Sequence, residues 1–221
     1  MAEERLILQD NLEILVRTIQ NQPIDSNCFV LYNNLNPSCI IIDPGSEDCI
    51  ELLIFLKENN LVPEYIILTH EHFDHIWGVN KLLELFDCTI VCSKKSSESI
   101  VDKKKNLSIF YNQVGFEIAL TGKVRIISDE VLKLGNYILQ FKETPGHSLG
   151  SVSFWINEML FTGDVFIKDT KTVTKLPGGS KEQLSKTIYE LDKLFNKKSM
   201  MVYPGHGEIF LFRDIDFNKV I

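Results

Sequence analysis

The sequence contains a dense run of metal-binding side chains, Thr69-His70-Glu71-His72-Phe73-Asp74-His75. The run follows the apolar residues 65–68, which have the composition of a buried strand. Imidazoles and carboxylates packed this closely would repel one another or leave hydrogen-bonding capacity unused, unless a cation held them together. The run therefore predicts a metal site at the end of a buried strand.

Two more histidines and one aspartate occur in a similar setting. His147 and His206 each follow a Pro-Gly pair after a strand-like run, and Asp164 comes shortly after the strand-like residues 159–161. An α/β scaffold that exposes polar residues at its strand ends builds a site at one edge of its sheets. We therefore expect these three residues to return to the site of residues 69–75. Asp43, in the sequence Asp43-Pro44-Gly45, is assigned to a structural turn and not to the site.

The spacing of the ligands suggests two metal ions. The first pair of histidines is two residues apart and projects to one side of an extended segment, whereas the later ligands follow after the chain has turned. The set predicted for the first ion is His70, His72 and His147, and the set for the second is Asp74, His75 and His206. Asp164 can bridge both ions, because a carboxylate offers one oxygen to each.

The predicted donors define the chemistry. Imidazole and carboxylate without thiolate suit zinc first, and iron or manganese also. Open coordination positions are typical of catalytic sites, whereas structural zinc sites are closed. A bound metal lowers the pKa of water from about 15.7 toward about 7, and two ions also polarise a carbonyl or phosphoryl oxygen. With Asp74 as both ligand and orienting group, we expect hydrolysis of an activated acyl or phosphoryl bond in a small molecule.

Composition limits the other possibilities. The 221 residues, 44% of them hydrophobic, suit one domain, which we expect to span residues 1–221. No apolar run approaches the roughly 20 residues that span a bilayer. Residues 1–5 lack the features of a signal peptide, so we expect a cytoplasmic protein. The net charge of −7 disfavours a nucleic-acid partner, and the basic residues 103–105 are interpreted as a solvated helix end or loop.

The five cysteines form no CxxC pair. Cys28, Cys39 and Cys88 lie within or beside apolar stretches, and the odd number argues against a disulfide framework. We therefore expect reduced, mostly buried thiols. None of the cysteines has a histidine near it in sequence, so a cysteine nucleophile is not predicted.

Periodicity and turn residues predict alternating strands and helices. Strands are predicted over residues 12–19, 27–32, 39–43, 65–68, 88–92, 124–127, 131–134, 137–142, 151–156, 159–161 and 200–203. Helices are predicted over residues 47–59, 79–86, 96–104 and 180–195. Leu85 is expected on the apolar face of the second helix, and Ser180 and Gln183 form a capping box at the start of the last one. Asn33-Asn34 followed by Asn36-Pro37 is expected to form one turn and Asn157-Glu158 another, and residues 106–121 are expected in a loop.

These motifs resemble the metallo-β-lactamase-fold superfamily, and within it the glyoxalase II-like (hydroxyacylglutathione hydrolase-like) hydrolases. The matching segments are the HxHxDH run at 70–75 and residues 43–45, 144–151, 161–164, 176–180 and 204–207. The resemblance implies an αββα sandwich, in which two mixed β-sheets face each other with helices outside and the ligands lie along one edge. It also implies the ligand division given above, and hydrolysis of a small thioester or ester.

Several alternatives stay open. A mononuclear-iron persulfide dioxygenase of this fold would use His70, His72 and His147 with water, and Asp164 is a further candidate ligand. Lactonase or phosphodiesterase activity is also compatible with the fold. The zinc-protease pattern HExxH does not fit the spacing of the histidines. Residues 172–175 lack the arginine and aspartate that glyoxalase II-like members often carry before Leu-Pro-Gly-Gly, which argues against glutathione. Lys168, Lys175 and Tyr111 are candidates to face the substrate.

Overall fold

The computed structural model describes residues 13–120 and 122–221. Position 12, the first of the strand predicted over residues 12–19, lies outside the described residues, as do residues 1–5 and position 121. The side chain of Asn218 is likewise not described.

Two six-stranded sheets form the centre of the fold. The first sheet contains, in spatial order, β1 (Leu15–Gln20), β2 (Asn27–Asn33), β3 (Asn36–Ile42), β4 (Val62–Ile67), β5 (Thr89–Ser93) and β6 (Lys123–Ile127). Its first three strands are antiparallel, and the pairings from β3 to β6 are parallel.

The second sheet is built from the later half of the chain. It contains β7 (Glu130–Leu134), β8 (Tyr137–Glu143), β9 (Val152–Ile156), β10 (Met159–Gly163), β11 (Met201–Pro204) and β12 (Phe210–Leu211), in spatial order β12 to β7. The β10–β11 pairing is parallel and the other pairings are antiparallel. Both sheets are therefore mixed, as the αββα prediction requires.

Helices cover the outer faces. In the described residues they are α1 (Ile50–Glu58), α2 (Phe73–Ile76), α3 (Val79–Leu85), α4 (Lys94–Ser99), α5 (Ser108–Asn112), α6 (Lys181–Phe195) and α7 (Phe217–Val220), with a 3-10 turn over Phe212–Asp214. No helix in this described part is long and apolar enough to cross a membrane.

The alternation of side chains along the central strands explains the layers. In β2 and β3, Phe29 and Ile40 point between the sheets, where they pack with Phe154 and Phe161 of the second sheet. Their neighbours in sequence, such as Val30, belong to the cluster under helices α1 and α3. Strands buried on both faces contain near-continuous apolar runs, as residues 28–31 and 39–42 do here. This arrangement confirms the predicted αββα sandwich.

Helix α6 begins where the capping residues predict, but the capping box is formed only in part, because the Ser180 N–H donates to the Gly146 carbonyl. The Ser180 hydroxyl accepts a hydrogen bond from the backbone N–H of Gln183 at 3.2 Å. This bond satisfies one of the donors left free at a helix N-terminus. The apolar stripe of α6 packs against Leu160 and Val202 on the outer face of the second sheet. The helix ends at Phe195, as predicted.

Four local predictions differ from the structure. The helix predicted over residues 96–104 is Lys94–Ser99, because the Ser93 hydroxyl caps it and starts it earlier. The loop predicted over residues 106–121 contains the short helix α5. Asn36 already pairs with Asn33 in the sheet, so the turn falls at residues 34–35. Leu85 is 50% exposed, because the buried stripe of α3 follows positions 79, 82, 83 and 86.

The cysteines are buried and free, as predicted. All five lie among the described residues, and none forms a disulfide. Burial raises the pKa of Cys39, Cys49, Cys88 and Cys92 to about 12, and that of Cys28 also rises. A thiol with such a pKa is not ionised at neutral pH, and the thiolate is the reactive form. The cysteines therefore contribute to the core and not to nucleophilic chemistry.

Candidate metal centre

The predicted ligands meet at one edge of the two sheets. His70 and His72 follow β4, His147 follows β8, Asp164 follows β10 and His206 follows β11. Asp74 and His75 lie in the first turn of α2, directly after His72. The two sheets thus bring together side chains that are more than a hundred residues apart in the sequence.

The first group consists of His70, His72 and His147. One nitrogen from each of these buried side chains lies within 4.8 Å of the others, so the group could hold a metal ion. The Nδ1 of His147 donates to the Val173 carbonyl at 2.9 Å, which leaves its Nε2 with a free lone pair. That Nε2 lies 2.9 Å from Nδ1 of His72. A metal-binding histidine commonly anchors its other nitrogen in this way.

The second group consists of Asp74, His75 and His206, again with ligand atoms within 4.8 Å of one another. The Nδ1 of His206 donates to the Asp25 carbonyl at 2.7 Å, and the Nδ1 of His75 donates to the Asp43 carboxylate at 3.1 Å. In the neutral rings, each Nε2 then carries a lone pair, and these two nitrogens face each other at 3.3 Å. Two lone pairs this close repel unless a proton or a metal ion lies between them.

Asp164 lies between the two groups. Its Oδ2 is 3.5 Å from Nε2 of His147 in the first group and 3.5 Å from Nε2 of His206 in the second. Its Oδ1 is 3.5 Å from Nε2 of His75. Gly205 allows this approach, because a methyl group at that position would overlap the Asp164 carboxylate. Asp164 thus lies within reach of both groups, and its bridging role stays a prediction.

Three buried polar atoms at this site lack a hydrogen-bond partner within the described residues. They are Nε2 of His70, Nε2 of His72 and Oδ1 of Asp164. Buried polar atoms in folded proteins are nearly always paired, so each exception needs an explanation. Imidazole nitrogens and carboxylate oxygens are good ligands for a divalent cation such as zinc or iron. The residues present therefore fit a metal centre.

The electrostatics of the two groups differ. Burial and the neighbouring histidines lower the pKa of His70, and burial and His147 lower the pKa of His72 to about 3. Burial also opposes a charge on His75, but the carboxylates of Asp164, Asp74 and Asp43 outweigh it and raise the pKa to about 10. The pKa of His206 is raised against burial, by Asp74 and Asp164. The second group thus strongly favours a positive charge.

We expect acid to release the ion of the second group first. In the metal-free protein at neutral pH, His70 and His72 are already neutral, whereas His75 holds a proton that a metal must displace. Metal affinity then falls by about tenfold per pH unit for each displaced proton as the pH drops. Titration from pH 8 to pH 5 with metal analysis after dialysis should show one ion lost well before the other. Simultaneous release of both ions would contradict this difference.

Asp43 is a residue of the site that the sequence analysis missed. Its carboxylate accepts hydrogen bonds from the Thr69 N–H at 2.8 Å, from the Thr69 hydroxyl at 2.6 Å and from Nδ1 of His75. Because the Thr69 hydroxyl donates to Asp43, it accepts from Nδ1 of His70 at 3.1 Å. Asp43 thereby sets the orientation of His70 and His75. Asp43 directly follows the buried strand β3, just as Asp164 directly follows β10. This position at a strand end is the sequence signal that could have identified Asp43 as a residue of the site.

Asp43 also lies close enough to His70 and His75 to form a third possible metal group. A cation there would have to displace the hydrogen bonds from Thr69 and His75, because both carboxylate oxygens of Asp43 already accept them. We therefore assign Asp43 to positioning the histidines and not to metal binding.

Glu71 connects two ligand loops. It is buried, and its Oε2 accepts hydrogen bonds from the Ser148 hydroxyl at 2.9 Å and the Ser96 hydroxyl at 3.2 Å. Ser148 follows His147 directly, so Glu71 links the segment of His70 and His72 to the segment of His147. The sequence places Glu71 in the ligand run, but it does not show that Glu71 links the two ligand segments.

Comparison with known proteins establishes the family. The profile of the metallo-beta-lactamase superfamily matches residues 22–206, which is most of the chain. The chain therefore belongs to the metallo-beta-lactamase superfamily. The crystal structure of the BLEG-1 B3 metallo-beta-lactamase superimposes with a TM-score of 0.83 at 30% identity, covering 90% of this chain and 95% of that one.

Two curated relatives bear on the chemistry. The probable metallo-hydrolase YqgX of Bacillus subtilis is 32% identical over 189 residues, which cover 84% of this chain and 86% of that protein. The hydroxyacylglutathione hydrolase of Psychromonas ingrahamii is 31% identical over 185 residues, covering 82% of this chain but only 61% of that protein. The protein is thus a probable metallo-hydrolase of this superfamily, with His and Asp groups that could bind divalent metals.

Proposed function

We propose that the protein is a dinuclear metal-dependent hydrolase of small thioesters or esters, with Asp164 shared between the ions. The observation that supports this most directly is the pair of ligand groups together with the three buried polar atoms that lack a hydrogen-bond partner within the described residues. We assign His70, His72 and His147 to the first ion, and Asp74, His75 and His206 to the second. Zinc is the metal we propose, with iron or manganese as alternatives for the same donors.

The arrangement suggests how the chain's own residues act. When bound, the two ions would supply an acidified water and polarise the substrate carbonyl. The His206 and Asp74 side chains are 24% and 15% exposed, whereas those of the first group are almost fully buried. Substrate and water therefore approach over the second group, where Asp74 can orient the attacking oxygen. The attack forms a C–O bond, the C–S or C–O bond of the leaving group breaks, and the departing thiol or alcohol takes up the proton.

The other parts of the proposal come from the sequence. The superfamily resemblance and the hydroxyacylglutathione hydrolase relative support a thioester or ester, and the net charge of −7 argues against nucleic acid. A small molecule is the proposed partner. The single domain over residues 1–221 and the cytoplasmic location stay predictions.

A substrate panel with metal analysis tests the proposal. We expect purified protein to contain two ions per chain and to hydrolyse acyl thioesters. Chelation should lower this activity by more than about 100-fold, and added zinc should restore it. The panel should contain acyl thioesters, an acyl ester of a simple alcohol, S-lactoylglutathione, a phosphodiester and a β-lactam. The absence of metal-dependent hydrolysis of any thioester or ester would refute the proposal.

β-Lactam hydrolysis is the second candidate, because BLEG-1 shares 30% identity and nearly the whole fold. Turnover of the β-lactam alone would favour it. A single iron per chain without hydrolysis would instead favour the persulfide dioxygenase alternative, which uses the three histidines of the first group.

A further inference from the structure

An apolar cavity of about 500 Å³ borders the segment that carries four of the proposed metal ligands, because Phe73 of that segment lines it. Its lining residues are Phe73, Leu107, Phe110, Tyr111, Leu176 and Pro177. None of these described lining residues carries a charge. The volume is within the range of small-molecule sites, about 300–1,000 Å³.

One wall of the cavity is attached to the ligand run. Phe73 stands between His72 and Asp74, and its N–H donates to the Asn106 carbonyl at 2.9 Å. Its ring stacks on Tyr111, with centroids 4.9 Å apart and an interplanar angle of 28°. The wall is therefore held in place by the same segment that provides ligands for both proposed ions.

The opposite wall is attached to the loop of His147. Leu176 accepts a hydrogen bond from the N–H of Gly179 at 2.8 Å, and the next residue, Ser180, donates to the Gly146 carbonyl at 2.8 Å. Upstream, the Val173 carbonyl accepts from Nδ1 of His147. The cavity thus lies between two segments that both carry proposed ligands.

Three of the lining side chains are exposed although they are large and mainly apolar. Phe110 is 71% exposed, and Tyr111 and Leu176 are 43% and 39% exposed. Contiguous exposed apolar surface on a soluble domain often marks a binding site. Its attachment to the ligand segments points to the substrate as the occupant.

We propose that this cavity binds the apolar acyl chain of the substrate. The substrate class is then a thioester or ester of a medium-length aliphatic or aromatic acid, with hydrolysis releasing that acid and a free thiol or alcohol. This inference rests on the proposed hydrolase function. A glutathione conjugate would bring two carboxylates and an ammonium group, and the lining side chains offer no charge to pair with them. Lys168, a sequence candidate for the substrate site, instead pairs with Glu208 at 2.6 Å.

A chain-length series tests the proposal. The zinc-loaded protein is assayed with acetyl, butanoyl, hexanoyl and octanoyl thioesters of the neutral thiol N-acetylcysteamine, and with S-lactoylglutathione. We expect kcat/KM to rise by about fourfold per added methylene until the cavity is filled. S-lactoylglutathione should be a poorer substrate than the hexanoyl thioester. A series that is flat or falls with chain length would overturn the proposal.

Variants connect the preference to the cavity. Phe110→Asp should lower the ratio of hexanoyl to acetyl kcat/KM by at least about tenfold, because a charge then faces the chain. Leu176→Asp tests the opposite wall in the same way. Tyr189→Asp is the matched control, since Tyr189 is an aromatic residue of helix α6 that is 69% exposed and does not line the cavity. An equal change of the ratio in the control would overturn the assignment.

A binding measurement separates this proposal from the hydrolase proposal. The neutral probe N-phenyl-1-naphthylamine gains fluorescence in apolar sites, so it can be titrated into the same proteins. We expect the wild type and the Tyr189→Asp control to bind the probe, and Phe110→Asp to bind it at least about tenfold more weakly. This result would support the apolar site even if no thioester were hydrolysed. In that case only the hydrolase proposal fails. If the protein hydrolysed thioesters without a chain-length preference and did not bind the probe, the hydrolase proposal would stand and the proposal of an apolar acyl-chain site would be overturned.

Discussion

Replacement of Asp164 by alanine is expected to reduce the binding of both metal ions and to lower kcat/KM by about three orders of magnitude. The Asp164 carboxylate lies 3.5 Å from histidine nitrogens of both ligand groups, so its loss removes a donor from each. Metal catalysis contributes several kcal/mol of charge stabilisation, and about 1.4 kcal/mol corresponds to a tenfold change in rate. Metal content per chain and thioester hydrolysis measure the two effects.

Asp169→Ala provides the control for Asp164→Ala. Asp169 lies five residues further along the chain and is exposed, where it pairs with Lys219 at 2.9 Å. This variant should retain both ions and its activity, because surface ion pairs contribute little. If Asp164→Ala lost only one ion, the carboxylate would belong to a single group and would not bridge.

His147→Ala and His206→Ala are expected each to remove a different ion. Each variant should fall from two ions per chain to one. Loss of a hydrogen-bond partner of a metal ligand costs up to about 100-fold in activity, and loss of the ligand itself should lower kcat/KM by more than that. These two histidines are the cleanest choices, because the outer nitrogen of each bonds only to a backbone carbonyl, of Val173 or Asp25. His70 and His75 are less suitable, since their rings lie 4.3 Å apart and Asp43 orients both of them. Asp43 binds His75 directly and reaches His70 through the Thr69 hydroxyl.

The acid sensitivity of the remaining ion identifies which ion was lost. His206→Ala should retain an ion that resists mild acid, because the pKa values of His70 and His72 are lowered. His147→Ala should retain one that is released as the pH falls, because the pKa of His75 is raised. Equal loss of both ions from each variant would disprove the division into two groups.

Individual residues show why the sequence predicted some of these features. His70, His72, Asp74 and His75 are adjacent in the chain, so the local pattern alone placed them together. His147, Asp164 and His206 could be added because each follows a strand, and strand ends meet at a sheet edge. Asp43 was missed, because Asp-Pro-Gly is also a common turn sequence. Leu85 was misplaced, because only the packing of helix α3 shows which apolar residues are covered.

The sequence by itself determined the alternation of strands and helices and the identity of the candidate ligands. These features depend on local periodicity and on the chemistry of single side chains, which are visible in one chain. The αββα arrangement was implied by the family resemblance, and the division of the ligands into two groups stays a prediction. Only the tertiary structure decided which histidine nitrogens face inward, because the anchoring partners Asp43, Val173 and Asp25 come from distant segments. The apolar cavity likewise exists only where the loop of Phe110 meets that of Leu176. Such contacts depend on how loops pack against each other, and no local pattern encodes that packing.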